Sequence, residues 1–385
     1  MLLILGAGPA GLAMALACRK FGLRCQVVDR YGDPDQGRGG LQITPNGMTV
    51  LRALGVADHR LAGAAVAAER ISLADLATSR PICDLAIAHL AAPRAMDYIL
   101  LRRSALITCL RDAVIDAGIE IITGCDIEVL EPSSDCVAWQ AADGRQGRAD
   151  AVIGADGVNS VTRRAISADR SRARPRYRVW RTVIAGAGGN SSIQAGRIML
   201  HVGRGRHLVR YRVGADGYVN TVAVEAIRGE EGMSDTPPRW LTRLLPVTKA
   251  DYLDPAGLVH SLARVALHRE AWYNDRMVLI GDALHPMLPF LAQGANMALE
   301  DAYVLARSIA RAQRITAGFE QYRQFRTKRI ESVIRFSNHQ AAINHHFLPY
   351  IGHAGAAGLR LLNTVFPGLI ARRYQWILNH DVTRM

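Results

Sequence analysis

Lysine is almost missing from this chain of 385 residues, occurring only as Lys20, Lys249 and Lys328. Arginine therefore carries nearly all of the basic charge, scattered through an alanine-rich chain. That pattern fits a GC-rich genome better than a nucleic-acid-binding face, although the formal net charge is +13. Long apolar runs are also missing. None reaches the roughly 18 residues a spanning helix needs, so no membrane span is expected. The six cysteines (Cys18, Cys25, Cys83, Cys109, Cys125 and Cys136) form no C-x-x-C pair. In a chain of this length they read as reduced, mostly buried thiols of a cytoplasmic protein. No short-spaced cluster of ligands suggests a metal site. The five tryptophans are isolated, so the W-x-W-x-I-P signature of tryptophan halogenases is absent.

What is present is a folded composition, 49% hydrophobic and 21% charged. At roughly 150 residues per domain, the length suggests two domains, or one large α/β unit with an insertion. The apolar amino terminus ends in Ala15-Leu16-Ala17-Cys18 and superficially resembles a lipoprotein signal. No positive charge precedes the run, and a glycine fingerprint explains it better, so no targeting segment is read.

That fingerprint is Gly6-x-Gly8-x-x-Gly11. It lies between a short apolar strand, Leu2 to Leu5, and a helix predicted from Leu12 to Phe21 and closed by Gly22. Gly6 allows the tight turn, Gly8 lets backbone approach a pyrophosphate, and Gly11 lets helix pack on strand. A second strand, Cys25 to Asp29, ends in an acid 18 residues after Gly11. A carboxylate there can accept both hydroxyls of an adenosine ribose.

Further along, strands are predicted at Tyr98–Leu101, Ile119–Ile122, Ile127–Leu130, Val137–Gln140 and 151–154. A helix is predicted over Ala105–Ala117. From about 165 to 270 the pattern changes to half-buried antiparallel strands: Arg176–Ala185, Arg197–Val202, His207–Val213 and Tyr218–Val224. The doubly wound pattern returns with Met277–Ile280, Gly281-Asp282 and a helix from about Gly294 to Ala310. The last 60 residues read as mostly helical.

Three motifs follow in order: the fingerprint, then Gly154-Ala155-Asp156-Gly157-Val158-Asn159-Ser160-x-x-Arg163, then Gly281-Asp282-Ala283-Leu284-His285-Pro286 leading to Gln293-Gly294-Ala295-Asn296-x-Ala298-x-Glu300-Asp301. In these residues the sequence resembles the single-component FAD-dependent aromatic hydroxylases, the family of p-hydroxybenzoate and salicylate hydroxylases. The likeness runs from residue 1 to about 325.

It implies an α/β fold: a Rossmann-like FAD-binding domain in two parts, residues 1–165 and 271–325. Residues 166–270 would be an inserted, mainly antiparallel β-sheet substrate domain, and 326–385 a helical carboxyl-terminal segment. It further implies that Gly6, Gly8, Ala10, Gly11, Asp29, Arg30 and Gly40 contact FAD. Asp156, Gly157 and Arg163 would lie beside the pyrophosphate and the nicotinamide approach, and Asp282 on the ribitol and pyrophosphate. An arginine in an R-x-x-L pattern contacts FAD, which matches Arg103, with Arg102 its immediate competitor. Turn-forming, helix-capping aspartates are the simpler reading of Asp156 and Asp282. The free N–H groups of Gly294, Ala295 and Asn296 would face the flavin N1–C2 edge as a partial positive charge. The family pattern P-x-x-G-Q-G appears as Pro289-Phe290-Leu291-Ala292-Gln293-Gly294, with Ala292 replacing a glycine.

The activity implied is a monooxygenase using FAD, NADH or NADPH, and O₂. It would hydroxylate a small aromatic or heteroaromatic molecule through a flavin C4a-hydroperoxide. Epoxidation of a non-aromatic substrate is the alternative, and a non-catalytic basic binding module a remote one. A homodimer is compatible, and no nucleic-acid partner is expected. His207 and Tyr211, four apart in a strand and so on one face, are the candidate catalytic and substrate-binding residues together with Pro289. The simpler reading makes both of them strand residues with satisfied polar tips. His285 reads as a brace for the Gly-Asp loop. Arginines crowd one stretch: Arg163, Arg164, Arg170, Arg172, Arg174, Arg176, Arg178 and Arg181. They read either as a solvated loop or as a docking site for NADPH phosphates or an anionic, carrier-bound substrate.

Overall fold

The computed structural model describes residues 1–32, 39–56, 58–91, 94, 97–167, 175–184, 193–214, 217–227, 238–244, 259–263 and 272–385. Apolar strands too short to alternate build its first layer. Leu2–Leu5, buried at every position, sits at the centre of a parallel five-stranded sheet. Across that sheet the order is Met277–Leu279, Ala151–Gly154, Leu2–Leu5, Cys25–Val28 and Ile121–Ile122. A strand buried on both faces must be apolar throughout, which is why these segments read as runs.

The first helix, Pro9–Lys20, starts on a proline at its first turn and is buried nearly all round. It packs between the sheet and two other helices, Arg103–Asp116 and Gly294–Arg311. Glycine is required at two points of the turn before it. Gly6 has φ +104°, and a Cβ on Gly11 would fall onto the Gly6 carbonyl oxygen.

The second layer is a seven-stranded sheet, ordered Val259–Ala263, Tyr177–Ile184, Tyr218–Ala226, Arg206–Val213, Arg197–Gly203, Arg70–Asp75 and Pro81–Ala86. All neighbours are antiparallel except Arg197–Gly203 and Arg70–Asp75. The last two strands come from the segment that the sequence groups with residues 1–165. Pairing, not chain position, places them in this sheet: every residue of Arg70–Asp75 is matched against Arg197–Val202. Two smaller three-stranded sheets complete the strands described.

Behind the sheets run the helices Gly294–Arg311, Ile315–Ala342, Gly352–Val365 and Leu369–Leu378, in the region read as helical from sequence. Ile315–Ala342 continues into a π-helical turn, Ile343–Phe347. All six cysteines are free thiols.

Candidate active site

The structure gathers many of the sequence-predicted residues around one cleft of about 670 Å³ at the carboxyl ends of the parallel strands. Gly6, Gly8, Asp29, Arg30, Arg103, Asp156 and Gly157 all line it, along with Arg111, Asp126, Glu128 and Arg164. Space above Gly8 is open: a Cβ built there meets nothing within 4 Å. Asp29 ends its strand with both oxygens engaged by backbone, accepting from the N–H of Ala7 at 2.5 Å and of Tyr31 at 2.7 Å. Each oxygen keeps further acceptor capacity, and Asp29 lines the cleft. Of the two adjacent arginines, Arg103 lines the cleft, whereas the Arg102 guanidinium lies 3.7 Å over the Tyr218 ring.

Asp156 is a helix cap in this structure. Its Oδ2 accepts from the N–H of Val161 at 2.8 Å and of Thr162 at 3.1 Å, at the start of helix Val161–Ile166. Its Oδ1 is buried and has no partner. Arg163 ties the second motif to the third, donating to the carbonyls of Val158 at 2.7 Å and Ala283 at 2.8 Å. Arg178 pairs with Glu225 at 3.5 Å. Arg181, close enough to feel the charges of Asp282 and Arg103, has its pKa lowered mainly by burial. Arg170, Arg172 and Arg174 lie outside the described residues. Among the described members, Arg163, Arg178 and Arg181 have different surroundings.

Asp282 is exposed, with its Oδ1 4.0 Å from where a Cβ on Gly294 would sit. Ala10 packs 3.3 Å from the corresponding point on Gly281. Gly40 donates to Asn220 Oδ1 at 2.7 Å, and a side chain there would collide with Asn220. The Asn296 side chain is spent internally. It accepts from the Thr44 N–H at 3.0 Å and donates to the carbonyls of Gln42 at 3.0 Å and Ala292 at 2.8 Å. Among the described residues, none of these nor Ala295 lines the cleft.

Behind Gly294 is a buried ion network that the sequence reading did not anticipate. Glu300 accepts from Arg326 at 2.5 Å, Arg329 at 2.9 Å and Asn46 at 2.7 Å. Asp301 accepts from Arg326 at 2.8 Å, His285 at 2.5 Å and the Gly281 N–H at 3.0 Å. Burial opposes ionisation of Glu300, but Arg329 and Arg326 outweigh it and hold the carboxyl well below its ordinary range. His285 thus braces the Gly281 loop, as expected.

The second cavity, about 130 Å³, lies against the seven-stranded sheet. Ile71, Leu73, Leu85, Ile198, Leu200 and Val209 supply its apolar wall, and Pro289–Gln293 its side toward Gly294. His207 and Pro289, both expected at a substrate site, line it. Tyr211 does not, among the described residues. It sits one layer behind, hydrogen-bonded to Gln42 and Asn220, and burial drives its pKa strongly upward. Gln42, which lines the cavity, also accepts from the Tyr98 hydroxyl at 2.6 Å.

The sequence also gave no sign of His345. Its Nε2 lies 2.7 Å from His207 Nδ1, both rings are buried, and its own Nδ1 has no partner. Burial, with the neighbouring charge of His345, keeps His207 well below its ordinary pKa and hence neutral. His345 belongs to the π-helical turn, a distortion that a strict 3.6-residue pattern hides.

Cleft and cavity are joined through contiguous residues. Gly157–Asn159 borders the cleft and touches the Gly281–Ala283 loop; Asp282 of that loop adjoins Gly294; and Gln293 is cavity wall. An open space at Gly8, an acid at the second strand, a buried carboxylate oxygen without a partner and several cleft arginines make a donor and acceptor set that fits a dinucleotide with a diphosphate.

Comparison with known proteins agrees with that geometry. The family model described as "FAD binding domain" matches residues 1–337. The chain is 32% identical over 345 residues to a 3-amino-4-hydroxybenzoate 2-monooxygenase of Streptomyces cremeus, covering 86% of this chain and 84% of the relative. It is 27% identical over 352 residues to a 3-hydroxybenzoate 6-hydroxylase of Klebsiella oxytoca, covering 85% of each. Its fold matches that of Klebsiella pneumoniae HpxO complexed with FAD and uric acid, with a TM-score of 0.75, 20% identity, and 96% and 97% of the two chains covered.

Proposed function

The chain belongs to the FAD-binding-domain family and is an FAD-dependent monooxygenase, and we propose that it hydroxylates a small, uncharged aromatic ring held in the cavity beside Pro289–Gln293. Bound FAD, reduced by NADH or NADPH, supplies the activation of O₂; the protein supplies binding, orientation and exclusion of water. Asp29 would take the adenosine ribose and Gly8 the pyrophosphate. Arg103 and the unpartnered oxygen of Asp156 would meet the rest of the diphosphate and ribityl chain, with Asp282 on the flavin side. The N–H groups of Gly294 and Ala295 would point at the flavin. Asn296 would act through its bonds to Thr44, Gln42 and Ala292, which fix the start of that helix.

One observation carries the substrate reading. Among the described residues lining the cavity, the polar ones are Gln42, Tyr98, His207, Gln293, Gln340, Asn344 and Tyr374, and none carries a formal charge. An unpaired carboxylate buried there would lose its hydration without a counter-ion, a cost of several kcal/mol. A phenol or arylamine would lose far less, finding a partner in His207 or Gln42. This separates the chain from the benzoate-named relatives while keeping their reaction type. His207, held through Nδ1 by His345, would present its remaining ring nitrogen to the ring substituent. Tyr211 would position Gln42 rather than touch the substrate.

The test is a panel of ring-matched phenols, aminophenols and hydroxybenzoates given to the FAD-loaded protein. Product formation is followed separately from peroxide release. Hydroxylation confined to the carboxylated members would overturn the substrate reading; a protein that takes up no FAD would overturn the functional one.

A further inference from the structure

The carboxyl-terminal helices Gly352–Val365 and Leu369–Leu378 meet at a 73° bend. Their inner side is anchored. Ala356 is buried, Asn363 donates to the Asp84 carbonyl at 2.7 Å, and Arg360 to that of Pro81 at 2.6 Å, both on the edge strand Pro81–Ala86. Their outer side is apolar. Exposed positions 354, 357, 361 and 365 recur at helical spacing and are Ala354, Ala357, Leu361 and Val365. Phe366 and Leu369 extend the stripe around the bend, and the four larger residues Leu361, Val365, Phe366 and Leu369 are 53–66% exposed. At the other end Phe347 and Tyr350 are exposed as well.

Along these helices the formal charge has one sign. Between Glu331 and Asp381 the sequence contains no acidic residue, and its formal charges are Arg335, Arg360, Arg372 and Arg373. Arg360 and Arg372 are exposed next to Leu361 and one turn beyond Leu369. Arg204 lies 4.5 Å over the ring of Tyr350. The two helices together reach the length and hydropathy of a lipid-embedded segment, but neither does alone, and the bend prevents a straight span.

We propose that this stripe is a peripheral membrane-binding surface for anionic lipid, with Phe366 and Leu369 seated at the acyl boundary and Arg372 among the headgroups. Apolar residues on a helix face flanked by arginine are what interfacial helices offer a bilayer. A second copy fits less well. A two-fold interface sets the same surface against itself, and an acid-free stripe brings no counter-charge to its own arginines. The helix Leu369–Leu378 also gives Tyr374, Ile377 and Leu378 to the cavity, so lipid seating places one cavity wall at the membrane boundary.

The experiment is flotation of the full-length, FAD-loaded protein with vesicles of phosphatidylcholine, with and without phosphatidylglycerol, at low and high salt. Wild type should float with the anionic vesicles and be released by salt. The double variant F366S/L369S should lose at least about tenfold in partitioning. Neutralising Arg372 to Gln should lose about fivefold. FAD content and melting temperature should be unchanged in all of them, because these side chains face outward. Failure of wild type to float, or equal flotation of F366S/L369S, overturns the proposal. So does a wild-type dimer in light scattering that F366S/L369S dissociates, which would make a second copy the occupant.

Discussion

The cleft and the cavity are neighbours with opposite construction. The cleft is open, charged and built largely from backbone turns at strand ends; the cavity is about a fifth of its volume, apolar and lined by neutral side chains. The first suits a charged dinucleotide approached by N–H groups and arginines. The second suits a small ring from which water must be kept away. A monooxygenase of this kind needs both, and the Gly281 loop with the start of helix Gly294–Arg311 is the seam between them.

The largest disturbance should come from the seam itself. Arg326→Leu would leave Glu300 and Asp301 buried without their shared cation. Breaking such a pair costs about 3–5 kcal/mol, so melting temperature should fall steeply and FAD binding and turnover should both suffer. Calorimetry with and without FAD checks this; an unchanged midpoint would remove the network from the account.

Asp282→Ala should separate the two regions. A charged-acceptor hydrogen bond is worth roughly 1.5–3 kcal/mol, so FAD affinity should weaken by about 10- to 150-fold. Asn at this position should lose less. The melting point of the FAD-free protein should hardly move, whereas a merely turn-forming aspartate would lower it with or without FAD.

His345→Leu should touch only the cavity. It removes the partner of His207 Nδ1, a neutral hydrogen bond of about 0.5–1.5 kcal/mol. The expected loss is about 2- to 12-fold in kcat/KM, with FAD affinity unchanged. The pair also has a pH signature. Burial, aided by the charge of His346, lowers His345 to about 4. A histidine depressed on folding contributes stability that is complete above its ordinary value of 6.5 and is lost as pH falls through that value toward 4. Wild type should therefore lose stability across this window, and His345→Leu should lose less of it. Parallel denaturation curves at the two ends of the window decide the point.

The smallest effect is expected at Ala292, which has φ +53° in the left-handed region. A non-glycine residue there costs of order 1 kcal/mol. Ala292→Gly should raise stability by about that much, and it removes a methyl from the cavity wall, so slightly larger rings should be accepted. A lowered melting temperature would contradict the strain.

What the sequence revealed follows the same division. The cleft was legible because its parts are local: Gly6, Gly8 and Gly11 with Asp29 fall within one strand–turn–helix–strand unit, and each residue type answers a backbone demand. Asp156 was legible as a site residue and as a cap, and the structure shows the cap. The cavity was largely illegible. His207 and Pro289 were visible, but Gln42, Tyr98 and Gln340 reach it from segments up to about three hundred residues apart, and His345 stands behind His207. His345 comes from a π-helical turn that periodicity does not mark. The strands Arg70–Asp75 and Pro81–Ala86 went unread because the chain around them belongs to the other layer; the first takes its register from a partner more than a hundred residues away, and the second pairs on the first. The buried ions around Glu300 escaped because their partners Arg326 and Arg329 sit on the next helix, and helix-on-helix packing leaves no local pattern.

A neutral aromatic ring in the small cavity, beside FAD held in the large cleft, should take up one oxygen atom of O₂. The most direct measurement is isotope incorporation from labelled O₂ by the FAD-loaded protein, given an equimolar pair of rings that differ only in a carboxylate. One labelled oxygen atom is expected in the product of the uncharged ring and little or none in the other. Label appearing only in the carboxylated product, or NAD(P)H consumed with no label in either ring, would contradict it.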